Sequence, residues 1–525
     1  MENPSFPFVI LVIAPFTGPG AGKWTEGPVS VQAENLDQVM ADCSLSVDIS
    51  APGDMAPNTI LAFPLSGRKA FRPGNLILSN EYLKNIFEAR QFVLDGPSKG
   101  LGHTEIVERI KRWKNLPSLH IPDAAEKTDK KGSSAIEDIL SMVSLPEEQK
   151  GHPGGRMGLV EQMDAALRRV LELVYQDEEF RTLEGAWAGL QFLLARAGKG
   201  ISHGDIAVKI LPSSLQTLEE TLDSMLFDMI REIPSLIVVD LPLDSSSHGT
   251  ALLNKLAEVG ETLLVPVLGW VDHAFFHINS WDDLETLPYL PHHFERPEFA
   301  KWQKLKESPG GRWVGMTCNR FLERFPYGDE YREGPVLFHE PVTPWRSPVW
   351  ALAALVCRSQ METGWPSRFS EWKRFNLEDL ALQARGTKEY YATEAVLDER
   401  RIDQMIASGL IPLVSFKNKD MAFVGGDSTI SGGSLAFQLV LSRIVQFVIW
   451  CKERFGKDLK ADDLKGKLEL ALSRFWEQTG HPVPEEMDIS VEKPDPAGPA
   501  SVGMVIRPGR AILGSREVVE FHFNW

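Results

Sequence analysis

Cysteine is scarce in this chain: Cys43, Cys318, Cys357 and Cys451 are the four in 525 residues, and no two of them form a C-x-x-C pair. Such spacing excludes a disulfide framework and offers no zinc-ligand pattern. The apolar surroundings of the last three suit reduced core thiols in a cytosolic protein. Positive charge is in deficit as well, with 55 Lys and Arg against 72 Asp and Glu, for a net charge of −17 and a pI near 5.3. Nucleic acid and anionic membrane surfaces both demand a basic face, so neither is expected as a partner. Also missing is a Lys/Arg-rich leader. Pro7 and Pro15 bracket an apolar run too short to cross a bilayer, which reads as a strand, and no membrane insertion is expected. No internal repeat is visible, which sets solenoids aside.

What is present is globular in character, 43% hydrophobic and 24% charged, in a chain long enough for roughly two to four domains with their own cores. The stretch "PFTGPGAGKWTEG" (15–27) follows the apolar run "FVILVI" and resembles a phosphate-binding loop. A P-loop needs a first glycine, four intervening residues, then Gly-Lys and a Ser or Thr. Here Thr17 and Trp24 hold those positions, and the next helix is expected only near Asn35, so no helix N-terminus is aimed at the turn. A glycine-rich turn after a strand is the favoured reading. A nucleotide-handling α/β enzyme is the alternative, and saturable micromolar binding of ATP with magnesium would revive it.

Other candidate chemistry is thin, and no catalytic residue, cofactor or metal is expected. His273 and His277 in "DHAFFHINSW" have i, i+4 spacing beside Asp272, but no Glu follows the first His and no third ligand is evident. His292 and His293 lie in a Pro-flanked loop. Asp240 ends an expected parallel strand, where open α/β sheets place ligands, yet no glycine fingerprint opens the following helix, and a cap or turn role is preferred. Ser428 in "VGGDSTISGG" fails G-x-S-x-G because Ile430 replaces the second glycine, and the segment reads as a flexible loop. Arg320 and Arg324 in "RFLERFPYG" suggest a packed Arg–aromatic cluster.

Along the chain, residues 1–113 read as a first domain and 114–157 as a polar linker holding a short amphipathic helix, "SSAIEDILSMV" (133–143). Residues 158–480 read as an α/β domain and 481–525 as a C-terminal strand pair. Met163, Ala166, Leu167, Val170, Leu171 and Val174 share one helical face, and Leu183, Trp187, Leu190 and Leu194 form a second stripe. Gly185 and Gly189 leave that second helix a shallow strip where another backbone could approach. "SLIVVDL" (235–241), "HGTALLNKLAEV" (248–259) and "TLLVPVLG" (262–269) predict a right-handed β–α–β unit, with "RWVGMTC" (312–318) in the same sheet. "LAFQLVLSRIVQFVIW" (435–450), apolar on nearly all faces with Arg443 its one charge, predicts a buried helix, too short and interrupted for a membrane span. "SVGMVIR" (501–507) and "REVVEFHF" (516–523) read as strands. The fold class is α/β, with parallel or mixed sheets and added helical segments.

Laid side by side, these motifs resemble a known family. "VIAPFTG", "GPVSVQAENLDQVM" and "YLKNIFEAR" are similar to the small subunit of the type VI secretion contractile sheath. "LEGAWAGLQFLL", "WQKLKESPGGRWVGMTCNRFLERFPYG" and "TEAVLDERRIDQMIASGLIPL" look like markers of its large subunit, in the same order, as if the two subunits were fused with 114–157 as tether. Departures fall at Ala188, where the family has arginine, at "VDLPLDS", and after Gly364–Trp365, where an expected glycine pair is absent.

The resemblance implies a structural, cytoplasmic protomer that polymerises helically with itself around an Hcp-type inner tube, meets baseplate components, and contracts by rigid-body rotation. The sheath of a phage-like contractile injection particle is the nearest alternative. Under this reading Val9, Ile10, Leu11, Val12 and Ile13, then Val502, Met504, Val505 and Ile506, then Val518, Val519, Phe521 and Phe523 are inter-subunit strands, donated to or accepting a neighbour's sheet. Alternatively, they complete their own domain's sheet. The family's sheaths are dismantled by an AAA+ unfoldase, and the helix carrying Ile136, Ile139, Leu140 and Val143 is the candidate it would grip.

Overall fold

The computed structural model describes residues 6–18, 24, 26–55, 59–120, 155–228, 232–455, 459–492, 500–514 and 517–525. In chain order its strands begin with β1 (Phe8–Ala14), β2 (Val29–Val31), β3 (Ser46–Ser50), β4 (Ile60–Pro64), β5 (Ile206–Pro212), β6 (Leu236–Leu243), β7 (Val267–Val271) and β8 (Val314–Cys318). They continue with β9 (Phe321–Leu322), β10 (Trp345–Arg346), β11 (Gln383–Arg385), β12 (Glu389–Tyr391), β13 (Leu410–Ser415), β14 (Ala422–Val424), β15 (Met487–Glu492), β16 (Ser501–Ile506) and β17 (Val519–Asn524).

A strand with apolar residues at successive positions is suited to burial on both faces, which parallel sheets provide. β1, β5, β6, β7, β8 and β13 are such strands, and they form the parallel part of an eight-stranded sheet ordered β14-β13-β8-β7-β6-β1-β5-β2. β14 and β2 join antiparallel at the two edges. The expected β–α–β unit is β6, the helix Ser247–Leu263 and β7, with β8 next in line. That helix starts at Ser246, whose hydroxyl accepts from the Gly249 N–H at 3.0 Å. Its Leu252, Leu253, Leu256 and Val259 pack with Leu11, Ile237, Val267 and Val314 in one apolar core.

β1 is the first correction. It was expected to lie across subunits, yet it sits inside its own chain's sheet, with Phe8–Ala14 parallel to Ile206–Pro212 on one side and Ile10–Ile13 parallel to Leu236–Val239 on the other. Both rows of backbone groups over Ile10–Ile13 are thereby used, and Ile10, Leu11, Val12 and Ile13 are at most 1% exposed. The domain boundaries shift with it. Met1–Asn35, Gly185–Phe325 and Pro344–Trp525 form one compact unit, and Leu36–Glu184 with Pro326–Thr343 forms the other, so the chain does not divide at 113 and 157.

In the first unit, Gly189 of the helix Glu178–His203 lies against a side chain, not a backbone: a Cβ there would come within 2.2 Å of the Trp350 indole nitrogen. The helix Leu435–Arg454 is long and apolar enough to cross a membrane by length and composition, contrary to expectation. What makes it a core helix is burial, since 72% of its most apolar stretch lies inside the protein. Gln446 ties it to the start of β6, donating to the Pro234 carbonyl at 2.6 Å and accepting from the Ser235 hydroxyl at 3.0 Å.

The second unit joins the β3–β4 hairpin to helices Pro73–Ser79, Glu81–Asp95 and Arg156–Gln176. Asn80 breaks the first two because its side chain caps the second, accepting from the backbone N–H of Tyr82 and Leu83. The apolar face expected on the third is buried at all six positions, Met163 to Val174. An Arg90–Asp164 ion pair and a Tyr175 hydroxyl donating to the Phe71 carbonyl at 2.6 Å fasten it to the earlier helices.

Candidate functional site

Asp240 sits near the carboxyl end of β6, where an open sheet usually places its ligand. Here both carboxylate oxygens are occupied: Oδ1 accepts from the Ser347 hydroxyl at 2.5 Å and Oδ2 from the Trp350 indole at 2.7 Å. The residue keeps some exposed surface, but burial of its carboxyl pushes the pKa up, against the pull of those two donors and of Arg346. The two hydrogen bonds fasten the start of the helix Pro348–Thr363 to β6.

A second lock lies at the end of β8. Asn319 is wholly buried with φ 75°, a left-handed conformation that asparagine tolerates better than most side chains. Its amide donates to the carbonyls of Ala395 at 3.0 Å and Leu413 at 2.7 Å, and its oxygen accepts from the Ala395 N–H at 2.7 Å. Arg320 then makes a two-pronged ion pair with Glu394, both contacts 2.7 Å. Burial alone would lower the Arg320 pKa, but Glu394, helped by Asp272, leaves it raised. Arg401 is buried and donates to the carbonyls of Pro288 and Leu287 and to the Gln404 side chain. The segments around 319 and 394, far apart in sequence and both singled out by motif, thus meet in one hydrogen-bonded joint.

Among the described residues the histidines form no group of three or more ligands that could hold a metal ion. His273 contacts Asp272 at 2.8 Å, His277 contacts the Ser245 hydroxyl at 2.7 Å and stacks on Phe299, and His293 meets the Phe276 carbonyl at 3.1 Å. Burial lowers the His293 pKa. Ser428 belongs to an ordered, packed loop and not to a flexible one: Ile430 is wholly buried and its N–H donates to the Val314 carbonyl at 2.9 Å. Arg324 donates to the neighbouring Phe325 carbonyl at 3.1 Å, and Phe325 is 43% exposed. Residues 19–23 and 25 of the glycine-rich turn lie outside the described residues. Trp24, which takes the place of a P-loop hydroxyl, packs on the core and donates to the Gly27 carbonyl at 2.9 Å.

The remaining candidates for assembly are strand edges. β15, β16 and β17 form a separate antiparallel sheet. β16 is its middle strand, paired over Ser501–Ile506 with β15 on one side and β17 on the other, so Val502, Met504, Val505 and Ile506 have no free edge to offer. This corrects their expected role, for the same reason as in β1. β17 differs: it pairs only with β16, and its outer edge has no strand partner among the described residues. Val519 is buried, Phe521 and Phe523 are half-buried, and Glu520, His522 and Asn524 are exposed; Val518 lies just before the strand. Lys452 donates to the Asn524 carbonyl at 2.7 Å and the Trp525 N–H to the Ala500 carbonyl at 2.7 Å, holding the strand in place. Ile136, Ile139, Leu140 and Val143 lie outside the described residues.

The family model described as VipB: EvpB/VC_A0108, tail sheath N-terminal domain, matches residues 158–431. The "Type VI secretion system sheath protein TssC1" of Pseudomonas aeruginosa strain PAO1 is 25% identical over 338 residues, which cover 58% of this chain and 64% of that relative. The match therefore spans just under two thirds of the relative's length. Among solved structures, a chain of the six-fold symmetrised cryo-EM structure of the anti-feeding prophage baseplate aligns with TM-score 0.35 and 11% identity, over 65% of this chain and 76% of that one. Residues 158–431 hold both the Asp240 anchor and the Asn319 joint and make up more than half of the sequence, and on that match the chain belongs to the VipB tail sheath N-terminal domain family.

Proposed function

We propose that this chain is a structural protomer, not an enzyme, of the contractile sheath of a type VI secretion system. It polymerises helically around an Hcp-type inner tube in the cytoplasm, meets a baseplate at one end, and contracts to drive the tube outward. The observation that carries this is the sheath-domain match across 158–431. The chemistry at the sheet's carboxyl end agrees with it, because Asp240, Arg320 and Arg401 are spent on internal fastening.

Small- and large-subunit regions are joined in one polypeptide. The seating of β1 between β5 and β6 supports this, since without it those two strands would face each other across a gap in the sheet. The contact between copies runs through the outer edge of β17, with Val518, Val519, Phe521 and Phe523 at the junction. Each added backbone bond contributes about 0.5–1.5 kcal/mol net, so several per protomer make a link that holds while protomers rotate about it. Recycling by an AAA+ unfoldase uses the segment 133–143.

Negative-stain microscopy of the purified chain is the test. Hollow helical tubes are expected. A protein that stays monomeric at every concentration and binds ATP with magnesium saturably overturns the proposal.

A further inference from the structure

The helix Leu435–Arg454 meets the main sheet at its middle and the C-terminal sheet at its end. Arg443 is 5% exposed. Its Nη1 donates to the Pro7 carbonyl at 3.0 Å and its Nη2 to the Phe6 carbonyl at 2.6 Å, bonds that its charge strengthens. Gln446, about one turn on, holds the Pro234 carbonyl and the Ser235 hydroxyl. That hydroxyl also accepts from the Val9 N–H at 3.2 Å, and the Ser235 N–H donates to the Val9 carbonyl at 2.7 Å. One helix thereby closes the entries of β1 and β6, both interior strands of the sheet, into a single hydrogen-bonded knot.

The far end of the same helix holds β17. Lys452 donates to the Asn524 carbonyl at 2.7 Å, and Phe455, which caps the helix, sets its ring 6.1 Å from that of Trp525. About 14 Å of helix separates Arg443 from Lys452, at roughly 1.5 Å per residue. That length is stiff. Its sequence, "LAFQLVLSRIVQFVIWCKER", has neither Pro nor Gly, the commonest kink points, and Ile444, Val445, Phe447, Val448 and Cys451 are buried. A second helix, Ala461–Gln478, braces it, with Phe475 stacked on Phe447 at 4.3 Å and edge-on to Phe6 at 6.2 Å. The two attachments are unequal. Toward the main sheet the helix makes four hydrogen bonds from two buried side chains, and toward β17 it makes one from an exposed lysine.

We propose that this helix is a strut, tying the end of β17 to the entries of β1 and β6, so that a pull on the C-terminal strand reaches the interior of the main sheet instead of peeling the small sheet away. The use of such a strut rests on the contact between copies through β17; the tie itself does not, and it is tested without assembly. The measurement is backbone hydrogen exchange on gel-filtered monomer of the full chain and its variants. Lys452→Ala combined with Phe455→Ala loosens the outer attachment and leaves β17 in place. It should speed exchange at the Val9 and Ser235 amides about fivefold and leave the amides of β13 within about twofold. Gln446→Leu cuts the inner attachment, and in that background the outer substitutions should add nothing at Val9 and Ser235. Should Gln446→Leu fail to fold, deleting residues 517–525 from the parent should reproduce the change of about fivefold. Unchanged exchange at Val9 and Ser235 after the outer substitutions, equal acceleration throughout the chain, or a full response in the Gln446→Leu background overturns the strut. Tubes formed by a chain lacking 517–525 would instead overturn the contact on which the strut's use rests, a failure separate from these.

Discussion

β1 and β17 are strands of seven and six residues lying far apart in the sequence, and their local sequences look equally suited to pairing with another copy. The structure treats them oppositely. β1 reads F-V-I-L-V-I-A, apolar without interruption, and lies inside a parallel sheet with neighbours on both sides. β17 reads V-E-F-H-F-N, alternating, and lies at the margin of a small antiparallel sheet with one side unpaired. An unbroken apolar run must hide both faces and calls for helices above and below, which a parallel sheet supplies. An alternating run tolerates water on one face and suits an edge. The distinction between an internal strand and an edge strand was therefore written in the alternation, not in the overall apolarity.

The sharpest way to break this contrast is to remove each strand. Deleting residues 8–14 takes away the partner of both β5 and β6, and the loss should exceed the whole stability of a typical domain, about 5–15 kcal/mol. An insoluble or unfolded product, seen by circular dichroism and gel filtration, is expected. Deleting residues 517–525 should leave a folded, soluble chain that forms no tubes. If instead the first deletion gives a soluble, folded chain, β1 is dispensable to its own sheet and the contrast collapses.

Single charges probe the same difference more gently. Val12→Asp places a carboxylate at a wholly buried position of β1 and should cost about 3–5 kcal/mol in urea unfolding. Phe521→Asp alters a half-buried position of β17 and should cost no more than about 1 kcal/mol, while abolishing tubes in the microscope. A Phe521→Asp chain that still assembles would move the inter-subunit contact away from this edge.

Local patterns were legible wherever the chemistry was local. The β6–helix–β7 unit, the face running from Met163 to Val174 and the strands near 501 and 519 all show in their periodicity, because each is set by residues within one turn or pleat of each other. The neighbours of β1 were not legible. β5, "IAVKILP", lies nearly two hundred residues downstream, and nothing in either sequence specifies that the two pair. The domain boundary failed for the same reason, since contiguity in sequence gave 1–113 a unity that β1 does not share. Gly189 announced a close approach but not its occupant, the Trp350 ring. In the functional region, motif resemblance marked the segments around Asn319 and Glu394, yet only the fold shows them hydrogen-bonded. Arg443 was visible as a lone charge in an apolar helix; that its guanidinium donates to the Pro7 and Phe6 carbonyls is a tertiary fact.

The smallest expected effect concerns the sheet that holds β1. Asp240, on the adjacent strand β6, has its pKa raised above the ordinary 3.8 chiefly by burial. As pH falls, the folded chain takes up this proton before the unfolded chain does. The stability the group contributes is therefore fully present below 3.8 and is lost as pH rises through its folded value. Asp240→Asn removes the buried charge and can still contact Ser347 and Trp350, so at pH 7 it should equal or exceed the parent in urea stability by about 1 kcal/mol. That margin should close as both proteins are brought toward pH 4. Asp240→Ala instead strips the Ser347 hydroxyl and the Trp350 indole of their acceptor, and should cost about 2 kcal/mol at either pH. An Asn variant that is less stable than the parent at pH 7, and not at pH 4, would mean that the ionised carboxylate is a net stabilising anchor, with Arg346 outweighing the cost of burial. The interior sheet would then be held by charge as well as by the apolar packing that separates it from the edge strand.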